Sequence, residues 1–227
     1  MTVTDPGGGV KDFRTVRYEN MVDEEKRPRG RPSTVDRQRA IQAAMESYWR
    51  RGISDLSLNE VCRIAGLSKP ALYRAFGGED GLHAAVLAQY REQVVQPMLK
   101  ALEADAPFAR VLDAAIVALT SDRGTPAGCL FTKMRLAGER LGPATAELVR
   151  DLEAEHRRAY EAWFRRAVAA GEANADLSPK LAARYLDTQL AAVLVQMGLG
   201  VSSRRIRAQA RLAVRPLLAP GDTSAES

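Results

Sequence analysis

The stretch Ser57-Leu58-Asn59-Glu60-Val61-Cys62-Arg63-Ile64-Ala65-Gly66-Leu67-Ser68-Lys69-Pro70-Ala71-Leu72-Tyr73-Arg74-Ala75-Phe76 decides the fold. Ser57 and Glu60 form a capping box, in which each side chain satisfies the other's backbone amide and so opens a helix. Leu58, Val61, Cys62 and Ala65 then recur on its inward face. Gly66 permits a left-handed turn, Leu67 plugs the resulting angle, and Ser68 caps a further helix. Pro70 falls in that helix's first turn, where a missing amide donor costs little. Two short capped helices meeting at a glycine turn are the wiring of a helix-turn-helix, whose second helix can enter the major groove of DNA and read base edges.

Upstream, the spacing predicts a helix from Ser33, with Asp36 as its capping-box-like partner, to about Arg51, where Gly52 stops it. Ile41, Ala44, Met45, Tyr48 and Trp49 make its buried stripe. Positive charge gathers just ahead of the reading unit: Lys26, Arg27, Arg29, Arg31, Arg37, Arg39, Arg50 and Arg51 face only Asp36 and Glu46, the electrostatic footprint of a polyanion partner. Residues 1–32, with Gly7-Gly8-Gly9 and little apolar periodicity, read as a flexible basic arm. Its end, Arg29-Gly30-Arg31-Pro32, resembles the core of an AT-hook, an extended arginine pair suited to a narrow minor groove. The competing reading is a solubilising linker.

Downstream, an amphipathic run from Glu79 to Leu102 is interrupted by Pro97, which predicts a kink or break near Gln96. Helical stretches follow at Phe108–Ser121, Gly128–Arg140, Pro143–Gly171, Lys180–Leu199 and Ser202–Leu218. Aromatic content of 6% and abundant Ala, Leu, Arg and Glu suit helices and lack the β-branched runs of sheets. The expected fold is all-α: a three-helix head over 33–95, a larger helical domain over 96–220 and a tail over 221–227.

The order of motifs resembles the TetR family of bacterial transcriptional regulators. The resemblance rests on Arg51-Gly52, the capped helix Ser57 to Ala65, the turn Gly66-Leu67-Ser68-Lys69, the string Leu72-Tyr73-Arg74-Ala75-Phe76 and the leucine-rich run Leu82 to Tyr90. It implies a homodimeric, ligand-responsive regulator, usually a repressor that a small-molecule inducer releases from a palindromic operator. Laid onto matching positions, it sets Lys69, Pro70 and Ala71 toward base edges, Tyr73 and Arg74 toward phosphate or a flanking base, Asn59 toward a base edge and Ser57 near phosphate. Tyr73 has a second reading, as a staple of the head. Leu72 and Phe76 are expected in the core. At the start of the fourth helix the family often has Ser-Lys, gripping phosphate, where this chain has Gly78-Glu79. The arm at Arg29 and Arg31 is the expected compensation.

In the body, Cys129, Phe131, Met134, Tyr160, Trp163 and Phe164 are the candidates to line an inducer cavity, with core packing the alternative for each. Cys129 is either an inert thiol or a sensor. Leu186, Leu190, Val193, Leu194 and Met197, then Ile206, Ala210, Ala213, Val214 and Leu217, mark two apolar helices near 180–199 and 202–218. The resemblance pairs them with the same helices of a second subunit as a four-helix bundle.

Other function classes find little support. The histidines, His83 and His156, lie far apart, with no nucleophile elbow, metal-ligand spacing or phosphate loop nearby, so an enzyme is not expected, nor a cofactor or metal. His83 is expected on a helix surface and His156 in a solvated run. Two cysteines without paired spacing suit a reducing cytoplasm, and no window approaches the ~20 apolar residues of a membrane span. The alternative within DNA binders is an activator or architectural protein without inducer release.

Overall fold

The computed structural model describes residues 36–122 and 124–220. The arm with Arg29 and Arg31, the segment containing Ser33 and the tail 221–227 lie outside them. Ten α-helices run through the described residues: α1 Arg37–Arg51, α2 Leu58–Ile64, α3 Lys69–Phe76, α4 Glu79–Tyr90, α5 Gln96–Ala101, α6 Phe108–Leu119, α7 Leu130–Ala137, α8 Pro143–Ala169, α9 Pro179–Gly198 and α10 Ser203–Val214. Their only β pairing is an isolated bridge between Ala173 and Leu218.

Local chemistry sets most boundaries. Asp36 is the N-cap of α1 itself, accepting from the Arg39 amide at 3.0 Å, where the sequence had suggested a partner role to Ser33. Its carboxylate reaches the orphan amide at short range, as a good N-cap does. The capping box of α2 is complete: the Glu60 amide donates to Ser57 Oγ at 3.3 Å and the Ser57 amide to Glu60 Oε2 at 3.0 Å. Ser68 caps α3 through the Ala71 amide at 3.3 Å.

The Pro97 interruption takes a specific form. Proline cannot donate to the carbonyl of residue 93, and its ring crowds that carbonyl. The chain answers with a π-helical turn at Arg91–Val95, closed by the Gln96 amide on Arg91 O, before α5 continues. Such turns insert an extra residue without ending the helix.

One apolar core extends from Ile41 in the head to Leu218 at the end of the body. It includes residues that the sequence alone placed elsewhere. His83 and His156 are buried, at 7% and 5% exposure. Each meets an aromatic neighbour from another helix, Tyr48 edge-on for His83 and Phe131 stacked for His156, which sequence spacing does not register. Leu186, Leu190, Val193, Ile206, Ala210, Val214 and Leu217 are likewise buried within this single chain, because α9 packs between α8 and α10. Phe76 is half-buried beneath the Arg37 guanidinium, 5.1 Å from its ring centroid.

Candidate nucleic-acid interface and ligand cavity

On α3 the helical repeat separates two faces. Leu72 is fully buried, and Ala71, expected at a base edge, is also turned inward at 7% exposure. Lys69, Pro70, Tyr73 and Arg74 form the outer face, and Tyr73 is 55% exposed. Asn59 and Ser57 are exposed at the start of α2. Neither Lys69 nor Arg74 is paired with a carboxylate among the described residues, whereas Arg51 is held by Glu60 at 3.3 Å and by Asp55 O at 2.8 Å.

Two glycines fix how this face is presented. Gly78, at φ 133°, lies under Tyr73, and a Cβ there would sit 3.5 Å from Tyr73 Cε1. One edge of the Tyr73 ring thus packs on the α3–α4 corner while the rest of the ring faces outward. A Cβ at Gly81 would fall 1.8 Å from the Phe76 carbonyl oxygen, so only glycine lets α4 start this close to the end of α3. Glu79, which stands where the family often has a phosphate-gripping lysine, lies near the buried Tyr48, Cys62 and His83 and acts on their acidities. Burial holds the Tyr48 hydroxyl far above its usual range and pulls His83 below its own, so both stay neutral.

The head is tied to the body at two corners, neither read from sequence. Asp80, in the first turn of α4, caps α8 from outside: its carboxylate accepts from the Ala144 amide at 2.9 Å, the Thr145 amide at 3.0 Å and Thr145 Oγ1 at 2.6 Å. The preceding residue of α8, Gly142, has no side chain with which to cap, and a Cβ there would overlap Asp80. Partial burial pushes the Asp80 carboxyl up, but these hydrogen bonds outweigh it and hold the group below its ordinary value. At the other corner, Lys133 of α7 donates from Nζ to Trp49 O and, at 3.0 Å, to Arg50 O, satisfying carbonyls at the end of α1. The Trp49 indole donates to Gly128 O at 3.1 Å.

Beside this second corner lies a cavity of about 430 Å³. Trp49, Met98, Val111, Phe131, Tyr160, Leu190 and Leu194 supply its apolar wall from six helices. Of the residues expected there, Cys129, Phe131 and Tyr160 line it. Met134, Trp163 and Phe164 do not: they are core, Trp163 and Phe164 packing on Phe108 with centroids 4.6 and 5.8 Å away. Met134 stands three residues after Phe131, and Trp163 and Phe164 three and four after Tyr160, so they share those residues' helix faces but lie one turn further along, in the core. Cys129 accepts a hydrogen bond from Tyr90 Oη at 3.3 Å. Polar lining residues missed by sequence reading include Gln93, Arg135, His156 and Asp187. Arg135 makes a fork onto Asp187, with distances of 3.2 and 3.0 Å, and a 2.9 Å bond to Glu153. The two arginine–carboxylate pairs join helices 18 and 52 residues apart in sequence, so no local pattern announces them.

Among known proteins, the model for bacterial regulatory proteins of the tetR family matches residues 40–86. The chain is 29% identical over 136 residues to the HTH-type transcriptional repressor ComR of Escherichia coli (strain K12), covering 58% of this chain and 63% of ComR. It is 32% identical over 104 residues to the repressor BdcR of the same organism, covering 44% of this chain and 53% of BdcR. These matches thus span less than two thirds of either curated relative. A solved structure of a cysteine mutant of the TetR family regulator CifR, complexed with 26 bp double-strand operator DNA, superposes with a TM-score of 0.70 at 30% identity, covering 83% of this chain and all of that one.

Proposed function

The chain belongs to the TetR family of bacterial regulatory proteins, and from that premise we propose that it is a homodimeric transcriptional repressor, released from a palindromic operator when a small molecule fills the body cavity. The observation that carries the DNA half of this reading is the outer face of α3, where Lys69 and Arg74 have no carboxylate partner among the described residues and flank an exposed Tyr73. An ammonium and a guanidinium left unpaired on a recognition helix suit guanine acceptors and phosphate. Pro70 adds an apolar surface for a thymine methyl, Asn59 an amide for a base edge, and the start of α2 at Ser57 approaches phosphate. The arm residues Arg29 and Arg31 contribute further phosphate or minor-groove contacts.

The dimer uses what α9 and α10 leave outside. Leu181, Thr188, Ala192 and Leu199 follow one another along the exposed side of α9, and Arg205, Ala208 and Leu212 along that of α10. Leu181, Leu199 and Leu212 are large apolar side chains in water. Joining this surface to its two-fold copy buries them in a four-helix bundle and sets two α3 helices to address half-sites one or more helical turns apart.

Gel shifts with the gene's own upstream DNA, with and without candidate metabolites, test the reading. A palindromic site bound at low salt and vacated on adding one metabolite is the expected result. A site that no cavity ligand loosens would instead favour an activating or architectural binder, and no bound site at all would remove the regulator reading. Deleting residues 1–32 should flatten the salt dependence, since log affinity falls by about 0.9 per neutralised phosphate per log unit of salt. An unchanged slope would remove the arm from the interface.

A further inference from the structure

The charged side chains that line the cavity are engaged with one another or with backbone, whereas one buried acceptor there has no partner among the described residues. Arg135 is engaged through its whole guanidinium by Asp187 and Glu153, and it also lies over the Phe131 ring at 5.5 Å. A ligand carboxylate would have to compete with that fork, and a ligand cation would compete with Arg135 for Asp187. Asp122, the other acidic lining residue, is exposed and accepts from the Gly124 amide at 2.9 Å. Gln93 is different: its Oε1 is buried and has no hydrogen-bond partner.

The position of Gln93 is constrained from the other side of its helix. It sits in the π-helical turn Arg91–Val95, whose flanks are braced on Glu155 of α8: Arg91 Nε donates at 3.0 Å and Gln96 Nε2 at 2.5 Å. That turn carries the extra residue that Pro97 forces, and it presents Gln93 to the cavity. A second acceptor lines the same space. His156 Nδ1 lies 2.7 Å from Leu152 O, a carbonyl that can only accept, so Nδ1 carries the proton and Nε2 of the neutral ring keeps its lone pair. Burial pulls the His156 pKa down and so preserves that neutral form.

We propose that the cavity binds an uncharged, mainly apolar molecule bearing a hydroxyl, which donates its hydrogen bond to Gln93 Oε1. This rests on the reading of the chain as a ligand-responsive regulator only for its consequence at DNA. The cavity volume falls in the range of small-molecule sites, about 300–1,000 Å³. Its aromatic and aliphatic wall supplies affinity, and a buried acceptor without a partner supplies selection, because an analogue lacking the donor leaves that acceptor unsatisfied. The contact also has a route outward, since the π-helical turn continues directly from α4, whose first turn carries the Asp80 cap of α8.

The test is calorimetric titration of the full chain, without DNA, using four matched probes: 4-butylphenol, 4-butylanisole, 4-butylbenzoate and 4-butylbenzylammonium. The phenol is expected to bind tightest, about tenfold ahead of its methyl ether, the magnitude of one added hydrogen bond. Gln93→Met, similar in length but without the acceptor, should bring phenol and ether together. Should that variant not fold, Gln93→Asn, which withdraws the acceptor by one methylene, should narrow the same gap. Tightest binding by the benzoate or the ammonium overturns the uncharged class, as does the absence of binding by any probe. A phenol preference that survives in the Gln93 variants overturns the assigned contact. Operator binding is then measured separately with 4-butylphenol: an unchanged DNA affinity beside tight probe binding counts against the inducer reading and leaves the cavity assignment intact.

Discussion

The outer face of α3 and the inner wall of the cavity lie at opposite ends of the chain's polar economy. On α3, Lys69 and Arg74 are exposed cations without carboxylate partners among the described residues, displayed beside a half-exposed Tyr73. In the cavity, Arg135 is locked to Asp187 and Glu153, while the uncharged amide of Gln93 holds a buried acceptor without a partner among the described residues. The difference follows from solvent. Exposed charge costs little in water and is strengthened against a polyanion, whereas charge beside an apolar wall must be paired to be tolerated. On the proposed reading, a surface that meets DNA keeps its cations available and a cavity for an uncharged ligand neutralises its own.

The contrast can be broken most directly by asking which body residues are core and which are wall. Trp163→Ala should cost about 3–5 kcal/mol of stability, the range for truncating a packed aromatic. Leu194→Ala, on a wall that already borders open space, should fall near the low end for leucine, about 2 kcal/mol. Equal losses in chemical denaturation would mean that the cavity wall is packed as tightly as the core.

Next in size are the α3 variants. Lys69→Ala and Tyr73→Ala should each weaken operator binding by about 1–3 kcal/mol, roughly 5- to 150-fold. Fluorescence anisotropy with labelled operator measures this, while the melting temperature should move little for Lys69→Ala. A fall in stability that matches the loss of affinity would make the α3 face structural.

Asp80→Ala removes the external cap of α8 and should cost about 0.5–2 kcal/mol, the value of a lost N-cap. Because the folded-state carboxyl is held below its ordinary value, the same contribution should be present at neutral pH and disappear as pH drops below about 4, the unperturbed range. Asp80→Asn should show the smaller loss if the amide oxygen keeps one of the three bonds. A stability indifferent to both substitutions would leave head and body joined by apolar packing alone.

The smallest effect concerns the buried histidines. His83 and His156 have lowered folded-state pKa values through burial, so the unfolded chain takes up protons first as pH falls. Stability should be full above about 6.5, the ordinary value, and decline through the window just below it. His156→Gln should flatten that decline in a series of thermal melts between pH 7 and 5. A profile identical to that of the unsubstituted chain would assign the decline to other groups.

How far the sequence could be read differs between the same two regions. In the head, Ser57 with Glu60, Gly66, Ser68 and Pro70 act within a few residues of themselves, so caps, turn and helix order were legible directly. Ala71 was the exception, since an alanine beside the turn can face either way until α2 is in place. In the body, apolar spacing predicted the helices, but not which apolar residues would border space. Phe131 and Met134, three residues apart on α7, end in different environments, one at the cavity and one in the core. His83 and His156 sit among charged neighbours in sequence and were misread as solvated, because the aromatic rings that cover them come from helices elsewhere in the chain.

By itself, then, the sequence determined the all-helical class, the capped reading unit and an irregularity ahead of Pro97, each set by backbone chemistry acting over one helical turn or less. Tertiary structure alone decided that Asp80 caps α8, that Lys133 closes the end of α1, and that Arg135, Asp187 and Gln93 share one cavity. Those groups meet across tens of residues of chain, and only the packing of whole helices brings a donor from one to an acceptor on another.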